Sequence, residues 1–422
     1  MSIPTRRASA RWTTPLTVAL TCLGLAACGG TSTTSPLTVA AFNPFSGVDA
    51  AFGPEIMAGC NAAATLVNRS GGVIGHKVVC SSVDTRGDAA DAVPAADKML
   101  ATTTNLVGVI GPSSDEAQAT VPVINASNVP MFADTGEAAF DKSSYRYFYR
   151  IIPADDVKGY ALALWAHEHH YTRAAAVFGN DIGAQSDVPT LLTAFKKLGG
   201  KFVINEKLVP GQSSYRTEVE QLLSANPQVI FTEADPQTSA TFFSELRQLG
   251  RLLPIIGTDT TLEGPWKKAV GGAIGAANLN QHFVGMQPSA LTSGPAVSVY
   301  TKAVHSSTYG TDPYSMADYD SLNLIAFAML AAHSTHPSKF SPQIVRIASG
   351  GPGAVTVHTF AAGAHALASG KTIHYVGAAG PIAFDQWHNS SGAFEAVDSK
   401  GNVIGMVSAA DIAALKGASP TG

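Results

Sequence analysis

Beyond Ala27 the sequence lacks any apolar run near the roughly 18 residues that a membrane-spanning helix needs, so nothing in the body of the chain is fit to cross a bilayer as a helix. It is also short of positive charge. Of 27 basic side chains, Arg6, Arg7 and Arg11 lie before that point; the remaining 24 stand against 31 acidic ones, a net charge of −7 with histidine neutral. That balance argues against nucleic acid as a partner, and no polybasic run offers a lipid surface anything to hold. Catalytic signatures are missing as well. There is no Gly-x-Ser-x-Gly elbow and no His-Glu-x-x-His helix. Gly370-Lys371-Thr372 imitates a phosphate loop, but six residues separate Gly363 from Gly370 where the motif has four. His167, Glu168, His169 and His170 cluster at a helix end, where the dipole favours them as solvated groups rather than as metal ligands. Asp84, Asp88 and Asp91 lack the intervening residues of an EF-hand. The expectation is no enzyme, no cofactor and no metal.

What is present begins with an address. Arg6, Arg7 and Arg11, the apolar run Leu16 to Ala27, and Leu25-Ala26-Ala27-Cys28 resemble the lipobox of a bacterial lipoprotein signal. That resemblance implies cleavage after Ala27 and lipidation of Cys28, hence an outer-face or periplasmic-side anchor. An ordinary secretory signal with an incidental cysteine is the competing reading. Residues 28–36, rich in Gly, Ser and Thr, read as a flexible tether. Cysteine is scarce, four in all. Cys22 leaves with the signal and Cys28 is the lipid site, so Cys60 and Cys80 remain as an even pair in an oxidising compartment. A disulfide from first helix to second strand is expected, with free thiols as the alternative.

About 385 residues remain after the tether, more than the roughly 250–300 at which one core stops growing, so two lobes are expected. Strand-like segments such as Leu37 to Phe42, Val73 to Cys80 and Ala174 to Phe178 alternate with helical ones such as Pro54 to Arg69, Ala89 to Thr102 and Asp187 to Leu198. This rhythm predicts an α/β fold with doubly wound parallel sheets. A ligand in such a fold sits outside the carboxyl ends of the strands. The stretch from Leu106 to Gly136 supplies two such ends, Gly111-Pro112-Ser113-Ser114-Asp115 opening a helix and Asp134-Thr135-Gly136 closing a short strand. Hydroxyls and free N–H groups at a helix start make a carboxylate seat. The same residues also serve as an ordinary turn with a serine cap.

Asn68-x-x-Gly71-Gly72-Val73-x-Gly75-His76-x-Val78, Gly111-Pro112-Ser113-Ser114, Asn180-Asp181-x-Gly183, Ile256-Gly257-Thr258-Asp259 and Tyr319-Asp320 follow one another in an order similar to that of type I periplasmic binding proteins. The chain resembles most the leucine/isoleucine/valine-binding proteins of ABC-type importers, from Leu37 to about Val407. The resemblance implies two lobes joined by three crossover segments, closing by hinge motion over a ligand. The implied boundaries are residues 37–154 and 286–375 for the first lobe, 155–285 and 376–410 for the second, and 411–422 for a tail.

The resemblance also implies roles. Ser113, Ser114, Thr135 and Gly136 would take a ligand α-carboxylate, and Asp259 the α-ammonium. Phe52 would be an aromatic wall, and Asp181, Ile182, Asp235 and Tyr319 would stand at the rim. The implied function is capture of a small polar solute, an amino acid first, and delivery to the membrane subunits of an importer by a monomeric, lipid-anchored protein. A ligand-sensing receptor of the same fold, or an importer component for an amide, polyamine or polyol, is the alternative. Asp134 and Glu137 depart from the family's small uncharged residues. As loop charges they are expected to face solvent; facing the cleft, they would repel a carboxylate and favour a cationic or polyhydroxy ligand.

Overall fold

The computed structural model describes residues 34–47 and 49–417. Cys28, the leader and most of the tether lie outside the described residues. The first lobe opens with β1 (Leu37–Asn43), α1 (Phe52–Arg69), β2 (Val78–Asp84), α2 (Ala89–Thr102), β3 (Leu106–Ile110), α3 (Ser114–Ala126), β4 (Met131–Phe132) and β5 (Phe148–Tyr149). The second lobe follows with α4 (Asp155–Glu168), β6 (Arg173–Gly179), α5 (Ile182–Lys197), β7 (Lys201–Leu208), α6 (Arg216–Ala225) and β8 (Val229–Glu233). It continues through α7 (Pro236–Gln248), β9 (Ile255–Gly257), α8 (Gly264–Ile274), α9 (Ala276–His282) and β10 (Phe283–Pro288). The chain then returns to the first lobe as α10 (Pro295–Val304), α11 (Pro313–Ala332), α12 (Pro337–Ser349), β11 (Val355–Val357), α13 (Phe360–Ala368) and β12 (Ile373–Tyr375). It ends on the second with β13 (Phe394–Asp398), β14 (Val403–Val407) and α14 (Ala409–Gly417).

Five strands in the order β2-β1-β3-β4-β5, all parallel, form the first sheet. Every residue of β1 is buried, as a strand covered on both faces must be. Apolar clusters lie on each side, one around α1 and α11 and one around α2 and α3. The second sheet runs β14-β13-β10-β9-β8-β6-β7, likewise with a core on either face. Here the structure departs from a purely parallel sheet, because β13 and β14 are antiparallel additions at one edge. Gly380 to Asp385, which reads as a closing strand, contributes only the isolated bridge Val376–Pro381. The tail expected over residues 411–422 is helical as far as Gly417.

Helix α11 is buried almost throughout, so apolar residues occur on every side of it and its polar residues, Asp318 and Asp320 among them, are buried with them. It lies tight against α1. A Cβ at Gly59 would stand 2.2 Å from the carbonyl oxygen of Ser315, so only glycine permits that approach.

Three crossovers join the lobes, after β5, after β10 and after β12. Two buried ionic residues pin them. Arg150 is fully buried, donating to Asn389 Oδ1 at 3.0 Å, to Asp141 at 2.5 Å and to the carbonyl oxygen of Glu137 at 3.2 Å, so it ties the first crossover to the third. Asp320 accepts from the Tyr375 hydroxyl at 2.7 Å and from the Ala378 and Ala379 amides at 3.0 and 2.8 Å, holding the start of the third crossover.

Cys60 of α1 and Cys80 of β2 form the expected disulfide, stapling the edge strand to the helix that covers it. The bridge closes a loop of 20 residues in sequence separation, worth about 3 kcal/mol through the unfolded chain. Replacing both cysteines by serine is expected to lower the free energy of unfolding in urea by about that amount.

Candidate functional site

Between the lobes lies a cavity of about 180 Å³ at the carboxyl ends of both sheets. Asn43, Ser113–Asp115, Asp134 and Gly136 reach it from the ends of β1, β3 and β4, while Asp181, Glu233 and Asp259 reach it from the ends of β6, β8 and β9. Helices add Phe52, Glu55 and Ile56 from α1, Lys158 from α4, and Tyr314 and Asp318 from α11. The lobes touch across it. The Gly183 amide donates to Asp115 Oδ1 at 2.9 Å, and the Tyr314 hydroxyl bonds Asp259.

The lining is acidic to an unusual degree. Among the described residues eleven carboxylates border the cavity, and Lys158 is the single basic residue in its lining. That lysine is spoken for. Its Nζ lies 3.2 Å from Asp155, 3.2 Å from Asp187 and 2.9 Å from Asp259, with only 8 % of the residue exposed. Burial pulls its pKa down, but these carboxylates and Glu233 outweigh burial and hold it well above the usual lysine range.

Helix starts around the cleft offer N–H groups suited to anions, yet the chain fills them with its own acids. At α3, the amide and hydroxyl of Ser113 both donate to Glu116 Oε1, at 3.3 and 2.9 Å. At α5, Asp181 accepts from Ala184 N at 2.7 Å while Asp115 takes the Gly183 amide. Asp235 accepts from Gln237 N and Thr238 N at α7, at 2.9 and 3.0 Å, and Asp312 accepts from Ser315 N at α11, at 2.8 Å.

Of the residues singled out from sequence, Phe52, Ser113, Ser114, Asp134, Gly136, Asp181 and Asp259 border the cavity. Thr135 is buried behind it, accepting from Ser114 Oγ at 3.2 Å and donating to Glu137 Oε1 at 3.3 Å. The hydroxyls of Ser113 and Thr135 therefore point at internal carboxylates. Asp259 is already paired with Lys158 and Tyr314.

Three residues expected at the rim do not border this cavity. Ile182 is 45 % exposed and borders neither this cavity nor its neighbour. Asp235 lines an adjoining cavity of about 230 Å³ that shares Phe52, Asp115, Asp181 and Glu233 with the first, and it caps α7. Tyr319 is fully buried, packed edge-on against Tyr300 with ring centres 5.2 Å apart. Helix α11 starts at Pro313, so Tyr314 and Asp318, four residues apart, share the face toward the cleft and Tyr319 turns into the core.

The acidic loop also differs from expectation. Neither Asp134 nor Glu137 is a solvated surface charge. Asp134 borders the cavity and accepts from Asn43 Nδ2 at 3.0 Å; burial, eased by that bond and reinforced by Glu116, pushes its pKa up to about 7. Glu137 is 3 % exposed, bonded to Gln118 and Thr135 behind the wall, and burial raises it too. Lys158, Tyr314, Asp318 and Glu55 escaped sequence reading; for Tyr314 and Asp318, the four-residue spacing after an Asp-Pro helix start was a usable signal.

Residues 36–385 match the periplasmic binding protein family. The chain belongs to that family. The fold is that of its type I members: a leucine binding protein, LivK, of Thermotoga maritima superimposes with a TM-score of 0.73 at 17 % identity, covering 89 % of this chain and 99 % of that one. An ABC transporter solute binding protein of R. palustris, solved in complex with benzoate, gives 0.70 at 15 % identity over 88 % of this chain and 96 % of that one. In sequence, the Leu/Ile/Val-binding protein BraC3 of Rhizobium johnstonii is 26 % identical over 229 residues, 53 % of this chain. That match spans 61 % of the relative's own length. The family and fold are those of solute-binding proteins. No described helix is long and apolar enough to cross a membrane.

Two outcomes follow for this periplasmic binding protein. Lys158→Met leaves Asp155, Asp187 and Asp259 without their counter-charge and is expected to cost about 3–5 kcal/mol in urea unfolding, with Lys158→Arg retaining more of the stability. Asp49 and Glu233 are held near pKa 7 and Glu263 near 8, chiefly by burial. The folded state thus binds more protons than the unfolded chain between about pH 4 and these values, and stability falls as pH rises through that window. The ligand-free protein is expected to melt at least about 2 °C higher at pH 5.5 than at pH 8, and Glu233→Gln to shrink the difference.

Proposed function

We propose that this chain is the extracytoplasmic capture subunit of an ABC-type importer, tethered through a lipid on Cys28, which closes its lobes over a small polar solute and delivers it to the membrane subunits. One observation carries the reading. The cleft at the carboxyl ends of two sheets is bridged by Asp115 to Gly183 and by Tyr314 to Asp259, bonds that hinge opening must break and closure must remake. Arg150 and Asp320 fix the crossovers on which the lobes turn.

The names of the Rhizobium and Thermotoga proteins support an amino acid as the solute, whereas the R. palustris protein holds benzoate, so the fold accommodates different chemistries. An amino acid here would find ample acceptors for its ammonium and little for its carboxylate. Nothing in the arrangement calls for bond-making chemistry.

The test uses chain beginning at Gly29, refolded to remove carried-over ligand, in small-angle scattering: a captured solute is expected to reduce the radius of gyration. Deleting the gene is expected to abolish uptake of that same solute, and Cys28→Ala to shift the protein from membranes to the soluble fraction with its fold intact. Uptake that persists in the deletion strain refutes the importer assignment.

A further inference from the structure

Building on the capture reading, we propose that the solute is a small organic cation, an aliphatic diamine in chemical class, whose ammonium group is seated by Asn43, Asp134 and Asp318 and which carries no carboxylate. The acidic wall alone would not establish this. What points to a ligand is a set of buried acceptors with nothing to accept. Asn43 and Asp318 are each 1 % exposed and both border the cavity; Asn43 Oδ1 and Asp318 Oδ2 have no hydrogen-bond partner. An orphaned buried acceptor costs about 1–3 kcal/mol, more when it is charged. Asn43 already donates its amide to Asp134 Oδ2, and Asp134 lies within electrostatic reach of Asp318, so the three stand together on one wall of the cavity. An ammonium brings three donors and one positive charge to that wall, which answers each deficit at once.

The rest of the cavity agrees. A ligand carboxylate would need donors or a free cation. Lys158 is held by three carboxylates, and the helix starts of α3, α5 and α11 that border the cavity each donate to an acid of the chain. The wall also offers Phe52, Ile56 and Phe394, apolar surface against which a methylene stem can lie. On the side of the second lobe, Glu233 and Glu263 supply acceptors for a second ammonium. Among the described residues no cluster of His, Cys, Asp and Glu has the arrangement to hold a metal ion, so the charge sought is organic.

The decisive pair of probes is 1,5-diaminopentane and L-lysine, which differ by one carboxylate. With the stripped, refolded chain in titration calorimetry, the diamine is expected to bind at least tenfold tighter than lysine, and leucine, benzoate and inositol to remain silent. Asp318→Asn and Asp134→Asn are each expected to weaken the diamine at least tenfold; two variants are used so that a folding failure of one, seen by circular dichroism, leaves the other. Affinity should fall between pH 8 and pH 5.5 as Asp134 protonates. The groups facing Asp134 are Asn43, Glu116 and Asp318, and Asp318 in turn faces Asp312. Lysine or leucine binding as tightly as the diamine, inositol binding while the diamine is silent, or both variants binding normally each overturn the assignment. Where leucine, benzoate or inositol shrinks the radius of gyration on binding, solute capture stands and only the cationic class falls. Silence of every probe also overturns the class, and the uptake experiment then decides the importer reading separately.

Discussion

Lys158 sits where the second lobe would otherwise repel itself. Asp155 lies one turn before it on α4, Asp187 comes from α5 and Asp259 from the end of β9. Three elements that close packing brings together thus share one counter-charge, and each carboxylate is tolerable only because the lysine is there. The cluster reaches further, since Asp259 also takes the Tyr314 hydroxyl from the other lobe. The ion cluster that holds the second lobe together therefore has one member that also contacts the first lobe, and in the proposed closure that member takes part. Opening the cleft removes the tyrosine but leaves the lysine, so Asp259 is never stranded, and the lobes can separate without exposing an unpaired buried charge.

The hinge shows the same economy. Arg150 is sunk in the first crossover with a carboxylate, an amide oxygen and backbone carbonyls around it, and one of those carbonyls belongs to Glu137, just past the Asp134–Gly136 loop on the cleft. Asp320 on α11 takes hold of the third crossover, and a Cβ at Gly377 would fall 2.0 Å from its Oδ1. Short side chains and glycine at these places let backbone lie directly on a buried charge. Such anchoring restrains where the crossovers begin and leaves the intervening residues to absorb rotation.

Much of this was legible in the sequence because it rests on local rules. Alternating apolar strands and capped helices announced two wound sheets, the Cys60 and Cys80 pair announced its bridge, and loops after strands announced the cleft. What escaped were pairings that only the assembled lobes create. Nothing near Asp259 in sequence reveals that a lysine about a hundred residues earlier claims it, with Nζ to Oδ1 2.9 Å and a sequence separation of 101. Tyr319 was placed at the rim by resemblance alone; within α11 the four-residue spacing puts Tyr314 and Asp318 on the cleft side, and Tyr319, the next residue, turns into the core. Asp134 read as a loop charge because a carboxylate after a short strand ordinarily meets bulk water; here it stands on the cavity wall with Asp318 of α11 nearby.

The helix starts carry the last step. In this fold the ends of the strands bring helix N-termini to the cleft whatever the ligand, so their partial positive charge comes with the architecture. A protein that needs to bind an anion can leave those donors open. This chain supplies Glu116, Asp181, Asp115 and Asp312 instead, each accepting from a backbone amide at or beside a helix start. The substitution does two things at once: it takes up amides at each start without a ligand, and it places negative charge where the fold would otherwise present positive. Under the proposed capture of a cation, the same scaffold would select for donors where its architecture predisposes it to acceptors, and the reversal needs no change in topology, only carboxylates at or beside the helix starts.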